Sequence, residues 1–416
     1  MLTSQASWKS LNVPARRKGA AILRRAGERP MSNRYLCVAV LAATALTLGA
    51  VSTPADATSR GSEPHTAATP GHGGHGRLAV WTSSHTMTIW TPQMWQTLAR
   101  NRVALFVQVN DGDYRPHADT WATDIISEAN RRALPVTIWT GGNDTASAQT
   151  QVEVDEIHAW LDANRLHAQG IVIDDEGTAQ TMALVGKAMA GDQNAEQQLL
   201  SANIDPAQQC QAITADKALI KHAHREGLAL DETAMPQSLD DLDAGTLALQ
   251  DTLNATSNPP ATWDANYFQA YRSDFSTDFG TTISSGLITS YYESAHQHLG
   301  DAGELTIGVA GLAPYATLAP LVHDVRLLAT LGQKTIPIFS LEQIVATYGP
   351  ESINSLAAAA HEPLATVDQP SAADLHARAT YQQLAKEVAA LTPQTTRTRD
   401  GVPQQANNYP NTSCAA

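Results

Sequence analysis

From Arg77 onward the chain alternates short apolar runs with longer stretches whose apolar positions recur at helical spacing. Eight runs read as strands: 77–82 (RLAVWT), 103–110 (VALFVQVN), 134–140 (LPVTIWT), 170–174 (GIVID), 227–231 (GLALD), 266–271 (NYFQAY), 305–311 (LTIGVAG) and 335–341 (TIPIFSL). Between them, segments such as DTWATDIISEANRRA and EVDEIHAWLDANRL carry apolar residues at three- and four-residue intervals. Eight consecutive strand–helix units predict an α/β fold, a closed (β/α)8 barrel of the TIM type over residues 77–365, with an open doubly wound sheet as the alternative. The interval 178–226 exceeds one helix and predicts an insertion after the fourth strand. Residues 366–416 are expected to add a C-terminal helix over 371–391, capped by Ser371, and a largely unstructured tail.

The first 76 residues read differently. Arg34 precedes an uncharged run from Leu36 to Val51, and Ala55-Asp56-Ala57 places small residues where a signal peptidase cleaves, so residues 1–57 are expected to be a leader with a secretory signal peptide. An uncleaved anchor is the alternative, and no later run approaches the roughly 20 apolar residues of a membrane span. Residues 58–76 (TSRGSEPHTAATPGHGGHG) read as a flexible linker, their histidines carried on no rigid frame. The expected mature protein is secreted, extracellular and not stably inserted in a membrane. Cys37 leaves with the signal, and Cys210 and Cys414 become candidates for one disulfide in an oxidising compartment.

Charge narrows the partners. The chain carries a net charge of −14, and the leader takes away eight basic and only two acidic side chains, so the body is more acidic still. No basic stripe is visible, which excludes nucleic acid as a partner. His222 and His224 lie in a helical segment before the fifth strand, and no H-E-x-x-H pattern occurs, so no metal and no cofactor are expected. The sequence carries no signal for an oligomeric state.

In such a barrel the residues near the carboxyl ends of the strands line the ligand site, and alternate residues face the lumen. The stretch AQGIVIDDEG ends the fourth strand with three consecutive carboxylates. By parity Val172, Asp174 and Glu176 share one face, while Asp175 belongs to the other and serves the turn. Two acids on one face beside apolar walls form a general-acid arrangement, because a neighbouring carboxylate and burial both raise a carboxyl pKa. Trp81, Gln108, Asn110, Trp139, Tyr267, Gln269 and Tyr271 fall at the ends or on the same face of neighbouring strands. Exposed aromatic rings beside amides and carboxylates suit a sugar, whose C–H faces stack on rings while its hydroxyls take polar partners. Asp231 and Glu232 are second-rank acids, either closing a carboxylate pair with Glu176 or capping the helix that follows.

These residues resemble glycoside hydrolase family 18, the chitinase-like barrels. That family carries D-x-x-D-x-D-x-E on its fourth strand; Gln169 to Glu176 preserve the glycine, the last Asp and the Glu, with Gln169 and Val172 in place of two aspartates. Trp139-Thr140-Gly141-Gly142 is similar to the family's third-strand S-x-G-G, and Gln269-Ala270-Tyr271 to its sixth-strand Q-x-Y, while Phe339 stands near the place of an eighth-strand Trp. The resemblance implies substrate-assisted retaining hydrolysis of an N-acetylhexosamine-containing glycan. Glu176 would be the general acid, Asp174 would orient the substrate's acetamido group, and Tyr271 would support it; no second catalytic Glu is needed on the seventh strand. A non-catalytic carbohydrate-binding barrel and a two-carboxylate glycosidase of another family are the competing expectations.

Overall fold

A computed structural model describes residues 76–83, 88–109, 121–141, 148–174, 206–253, 262–391, 398–399 and 402–403, with isolated positions between 184 and 198. Eight parallel strands, β1 (Arg77–Thr82), β2 (Ala104–Gln108), β3 (Val136–Gly141), β4 (Gly170–Asp174), β5 (Ala229–Ala234), β6 (Asn266–Gln269), β7 (Gly303–Gly308) and β8 (Thr335–Phe339), follow one another round a closed barrel. Closure is made by β1 pairing with β8, Leu78 opposite Ile336 and Val80 opposite Ile338. The fold expected from the eight apolar runs is the one observed, with edges displaced by up to three residues. The largest shifts are in β5, which runs on to Ala234, and in β7, which ends at Gly308.

Both faces of every strand are buried, which is why the strands read as nearly continuous apolar runs. Outward-facing Leu78, Val80, Leu105, Val107, Ile138, Ile171, Ile173, Leu230, Phe268, Leu305, Ile307, Ile336 and Ile338 join the helix layer in one core. Inward-facing Ala79, Trp81, Ala104, Phe106, Trp139, Val172, Tyr267 and Phe339 form a separate apolar cluster in the lumen, together with Tyr271 and Val309. At roughly 1.5–3 kcal/mol per fully buried large apolar side chain, the outer layer is the main cohesive element.

Helices α1 (Pro92–Asn101), α2 (Trp121–Arg131), α3 (Ala148–Asn164) and α4 (Pro206–Arg225) cover the first half. Helix α1 begins where the sequence supplies both start signals: Pro92 in its first turn, and Thr91, whose hydroxyl accepts from the Met94 N–H at 3.1 Å. Helices α5 (Gln237–Asp243), α6 (Ala248–Leu253), α7 (Arg272–Asp278), α8 (Gly286–Leu299), α9 (Leu318–Leu331), α10 (Leu341–Tyr348) and α11 (Ser352–Ala359) cover the second half. The interval expected to hold an insertion after β4 lies mostly outside the described residues. Cys210, buried on α4, is disulfide-bonded, and its partner lies outside the described residues. Among the described residues no helix is long and apolar enough to cross a membrane.

The added C-terminal helix is α12 (Ala372–Leu391), and it begins as a reciprocal cap: the Asp374 N–H donates to the Ser371 hydroxyl at 3.2 Å, and the Ser371 N–H to the Asp374 carboxylate at 2.7 Å. The tail is not wholly irregular, because β9 (Thr398–Arg399) and β10 (Val402–Pro403) pair antiparallel. Helix α12 is fastened to the barrel by Arg378, whose guanidinium reaches Asp240 and Asp243 of α5, donates to the Ser290 hydroxyl at 2.8 Å and lies 4.1 Å from the centre of the Tyr291 ring. The Tyr291 hydroxyl donates to Asp240 at 2.7 Å. Burial pushes the Asp240 carboxyl up to about 6 even though Arg378 and Tyr291 pull it down. Removing the cation therefore strands a buried carboxylate: Arg378→Met is expected to cost about 3 kcal/mol in urea unfolding followed by circular dichroism.

Candidate functional site

The alternation of the strands decides where each candidate goes. On β4, Ile171 and Ile173 belong to the helix layer and Val172 to the lumen, so Asp174 lies on the lumen face at the carboxyl end of the strand, 6% exposed. Gly141, paired in register with Asp174, makes room for it: a Cβ there would stand 2.6 Å from the Asp174 Cβ and 2.7 Å from its backbone nitrogen. A glycine at the end of β3 is thus a condition for the position of Asp174, because β3 and β4 approach too closely for any side chain between them. Asn110, Asp175 and Glu176 lie outside the described residues.

The aromatic candidates do converge on the lumen, although they are not exposed. Trp81 stacks on Phe106 with ring centres 4.4 Å apart and meets Trp139 edge-on at 5.3 Å. Phe106 meets Tyr267 at 5.2 Å, Trp139 meets Phe339 at 6.1 Å and Tyr271 meets Phe339 at 5.9 Å. Trp81 is only 2% exposed, and its indole N–H crosses the barrel to donate to the Thr306 hydroxyl at 2.9 Å. The expectation of open sugar-stacking faces is corrected for Trp81, Trp139, Tyr267 and Tyr271: a closed eight-stranded barrel has no free interior, and large rings are what fill it. Phe339 belongs to this same packed set.

Polar groups form two levels. Near the carboxyl ends are Asp174, half-buried Gln108 on the lumen face of β2, and Gln269, whose amide donates to the Thr233 hydroxyl at 3.3 Å. Tyr271 follows the end of β6, and the next residue anchors it from outside: Arg272 makes a buried ion pair with Asp324, at 2.6 Å, and donates twice to the Ile283 carbonyl. Ser273 then joins the ends of β6 and β7, donating to the Gly308 carbonyl at 3.0 Å and accepting from the Val309 N–H at 2.7 Å.

The deeper level holds Asp231, Tyr267 and Glu304. Asp231 is paired in register with Val172, so an acid at the depth where β4 lacks one is supplied by β5. The expectation that Asp231 and Glu232 close the fifth strand is corrected, because β5 continues three residues past Asp231, to Ala234, and α5 starts only at Gln237. Neither caps that helix. Glu232 faces the helix layer, flanked by outward-facing Leu230 and Ala234, and is fully buried there, which removes it from the lumen altogether. Glu304 was missed because the apolar run of β7 begins at Leu305; carrying the Gly308–Thr306 parity back one step would have found it.

Burial pushes Asp231 up to about 7, with the Asp264 carboxylate adding to the rise, and Glu304 up to about 8, with Asp231 adding. A lumen that does not solvate charge thus holds both acids well above the ordinary carboxylate range. His222 and His224, by contrast, pair with Asp155 at 2.5 Å and Asp264 at 2.8 Å on the amino-terminal side of β5. Among the described residues no group of three or more His, Cys, Asp or Glu is arranged to hold a metal.

No protein-family model matches the chain, and no curated protein matches it in sequence. Solved structures of similar fold include the spore cortex-lytic enzyme SleL of Bacillus megaterium, 10% identical with a TM-score of 0.44 over 70% of this chain and 75% of that one. A chitinase from Chromobacterium violaceum is 12% identical with a TM-score of 0.41, over 68% and 99%. Malate synthase of Haloferax volcanii is 14% identical with a TM-score of 0.35, over 77% and 88%. At these identities the likeness concerns the barrel alone, an architecture that hosts many chemistries.

The raised carboxyls fix a sign for the pH dependence of stability. Both exceed their ordinary values of 3.8 and 4.5, so their contribution is complete below those values and is lost as pH rises through about 7 and about 8. Urea midpoints are expected to fall between mildly acidic and mildly alkaline pH. Glu304→Gln should flatten that fall without abolishing it, since Asp241, raised to about 8, contributes in the same direction.

Proposed function

We propose that this chain is a secreted glycoside hydrolase that cleaves an N-acetylhexosamine-containing glycan by substrate-assisted retaining hydrolysis. The observation that carries the proposal is Asp174, a carboxylate on the lumen face at the carboxyl end of β4, walled by Val172 and by the close approach of Gly141. Glu176 follows it two residues on in the sequence, with the same strand parity. Glu176 protonates the glycosidic oxygen as its bond to the anomeric carbon breaks. The substrate's own acetamido oxygen attacks that carbon, oriented by Asp174 and supported by Tyr271. Water then opens the cyclic intermediate and gives its proton to the Glu176 carboxylate, so configuration at the anomeric carbon is retained. Gln108, Asn110 and Gln269 belong to the substrate-facing part of the barrel in this proposal; Trp81, Trp139 and Tyr267 fill the lumen beneath it, and the deep Asp231 and Glu304 act on stability rather than on the glycan.

A second reading, a carbohydrate-binding barrel without turnover, is favoured by one observation: the lumen aromatics pack on each other instead of standing open. Hydrolysis of N-acetylated and non-acetylated oligosaccharides by the mature protein separates the two. Turnover restricted to N-acetylated substrates, lost in Glu176→Gln and strongly lowered in Asp174→Asn, is the expected result; binding without turnover in the unaltered protein establishes the second reading. Gly141→Ala is expected to lower kcat about a hundredfold, because it displaces Asp174 together with the β4 backbone that carries it, with circular dichroism checking that the barrel still folds. Sequencing the amino terminus of protein recovered from culture medium is expected to place it after Ala57.

A further inference from the structure

At the amino-terminal end of the barrel, opposite the proposed catalytic mouth, lies a cavity of about 690 Å³ with a composition unlike the rest of the chain. It is lined by Arg77, Arg100, Arg102, Lys334 and His361, and among the described residues no carboxylate lines it, in a protein whose net charge is −14. The frame is rigid. Arg77 starts β1, and its N–H donates to the Lys334 carbonyl at 2.8 Å across the β1–β8 closure. The Asn101 amide ties α1 to α11, donating to the Thr97 carbonyl and the Asn354 side-chain oxygen, both at 2.8 Å.

A simpler role for these cations is to neutralise the carboxyl ends of α1 and α11, which meet at this cavity. The charge count decides against that as a complete account. Each helix end contributes about half a negative charge. One more comes from Asp301, which pairs with Lys334 at 2.9 Å. Four permanent cations leave an excess of about two positive charges. Glu304, the lumen acid that interacts with Lys334, is pushed up by burial to about 8 and so adds little negative charge at pH 7. Among the described residues, no carboxylate pairs with Arg77, Arg100 or Arg102. Arg102 also occupies the left-handed position closing α1, with φ of 51°, where glycine is the usual residue, so the guanidinium is kept at a position that disfavours a side chain.

We propose that this cavity is a binding site for a polyanionic ligand, one presenting two or more closely spaced oxyanions of the phosphate or carboxylate kind. Guanidinium forks match both groups bidentately, and the volume accommodates a segment of two or three monomer units. The site is independent of the hydrolase proposal, since it lies on the other face of the barrel and uses none of its residues.

The test is calorimetric titration of the full chain with inorganic tripolyphosphate and, separately, with trigalacturonate, at low and high salt. Binding of either is expected to weaken with salt and to weaken about tenfold in Arg77→Gln/Arg102→Gln, while Arg131→Gln, which removes a cation paired with Glu128 elsewhere, leaves it unchanged. Arg102→Gly removes one charge at a backbone position that suits glycine, so a weakening there cannot be put down to misfolding. Tripolyphosphate alone identifies phosphate as the recognised group, and trigalacturonate alone identifies carboxylate. Failure of both probes, or affinity indifferent to the arginine variants, overturns the proposal.

Discussion

Barrel closure is the constraint from which the remainder follows. Once β1 pairs with β8, every strand has two buried faces of different capacity: a spacious outer one against helices and a narrow inner one shared by eight strands. The outer face accepts Ile, Leu and Val almost without discrimination. The inner face must be filled by few, large groups at matched heights, and its polar members must find partners across the lumen or lose their charge. Trp81 reaching Thr306 on the far side, and the raised carboxyls of Asp231 and Glu304, are two answers to that one requirement.

Closure also sets the heights at which the lumen residues meet. The same parity that puts Asp174 on the lumen face at the carboxyl end puts Asp231 one level below it on the next strand, beside Val172. The level that carries Asp174 therefore rests on a layer of rings and raised carboxyls. Outside the barrel, the Arg272–Asp324 pair fixes the start of α7 just after Tyr271, and Arg378 fixes α12 against α5 and α8. Buried charge is used here at seams between elements, where geometry must be unique, rather than at the lumen, where apolar packing already defines it.

Much of the fold was legible because its signal is periodic. The eight apolar runs and the helical stretches between them located every strand, and parity correctly separated Val172 from Ile171 and Ile173. What the runs could not supply was where strands end. Taking β5 to stop at Asp231 made that residue a mouth acid and Glu232 its neighbour, whereas the three further residues to Ala234 make Asp231 a deep lumen residue and turn Glu232 outward. Starting β7 at Leu305 hid Glu304, because a carboxylate at a strand start looks like loop. Aromatic residues at strand ends were equally ambiguous: sequence shows that Trp81 and Trp139 face inward, but only the distances among rings show that they lean on each other. The acid central to the hydrolase proposal, Glu176, is legible in sequence alone, since it lies outside the described residues.

Gly76 and Arg77 sit at the amino-terminal rim, and β1 runs from there toward the opposite opening. All parallel strands share that sense, so whatever chain precedes residue 76 departs from the rim farthest from Asp174.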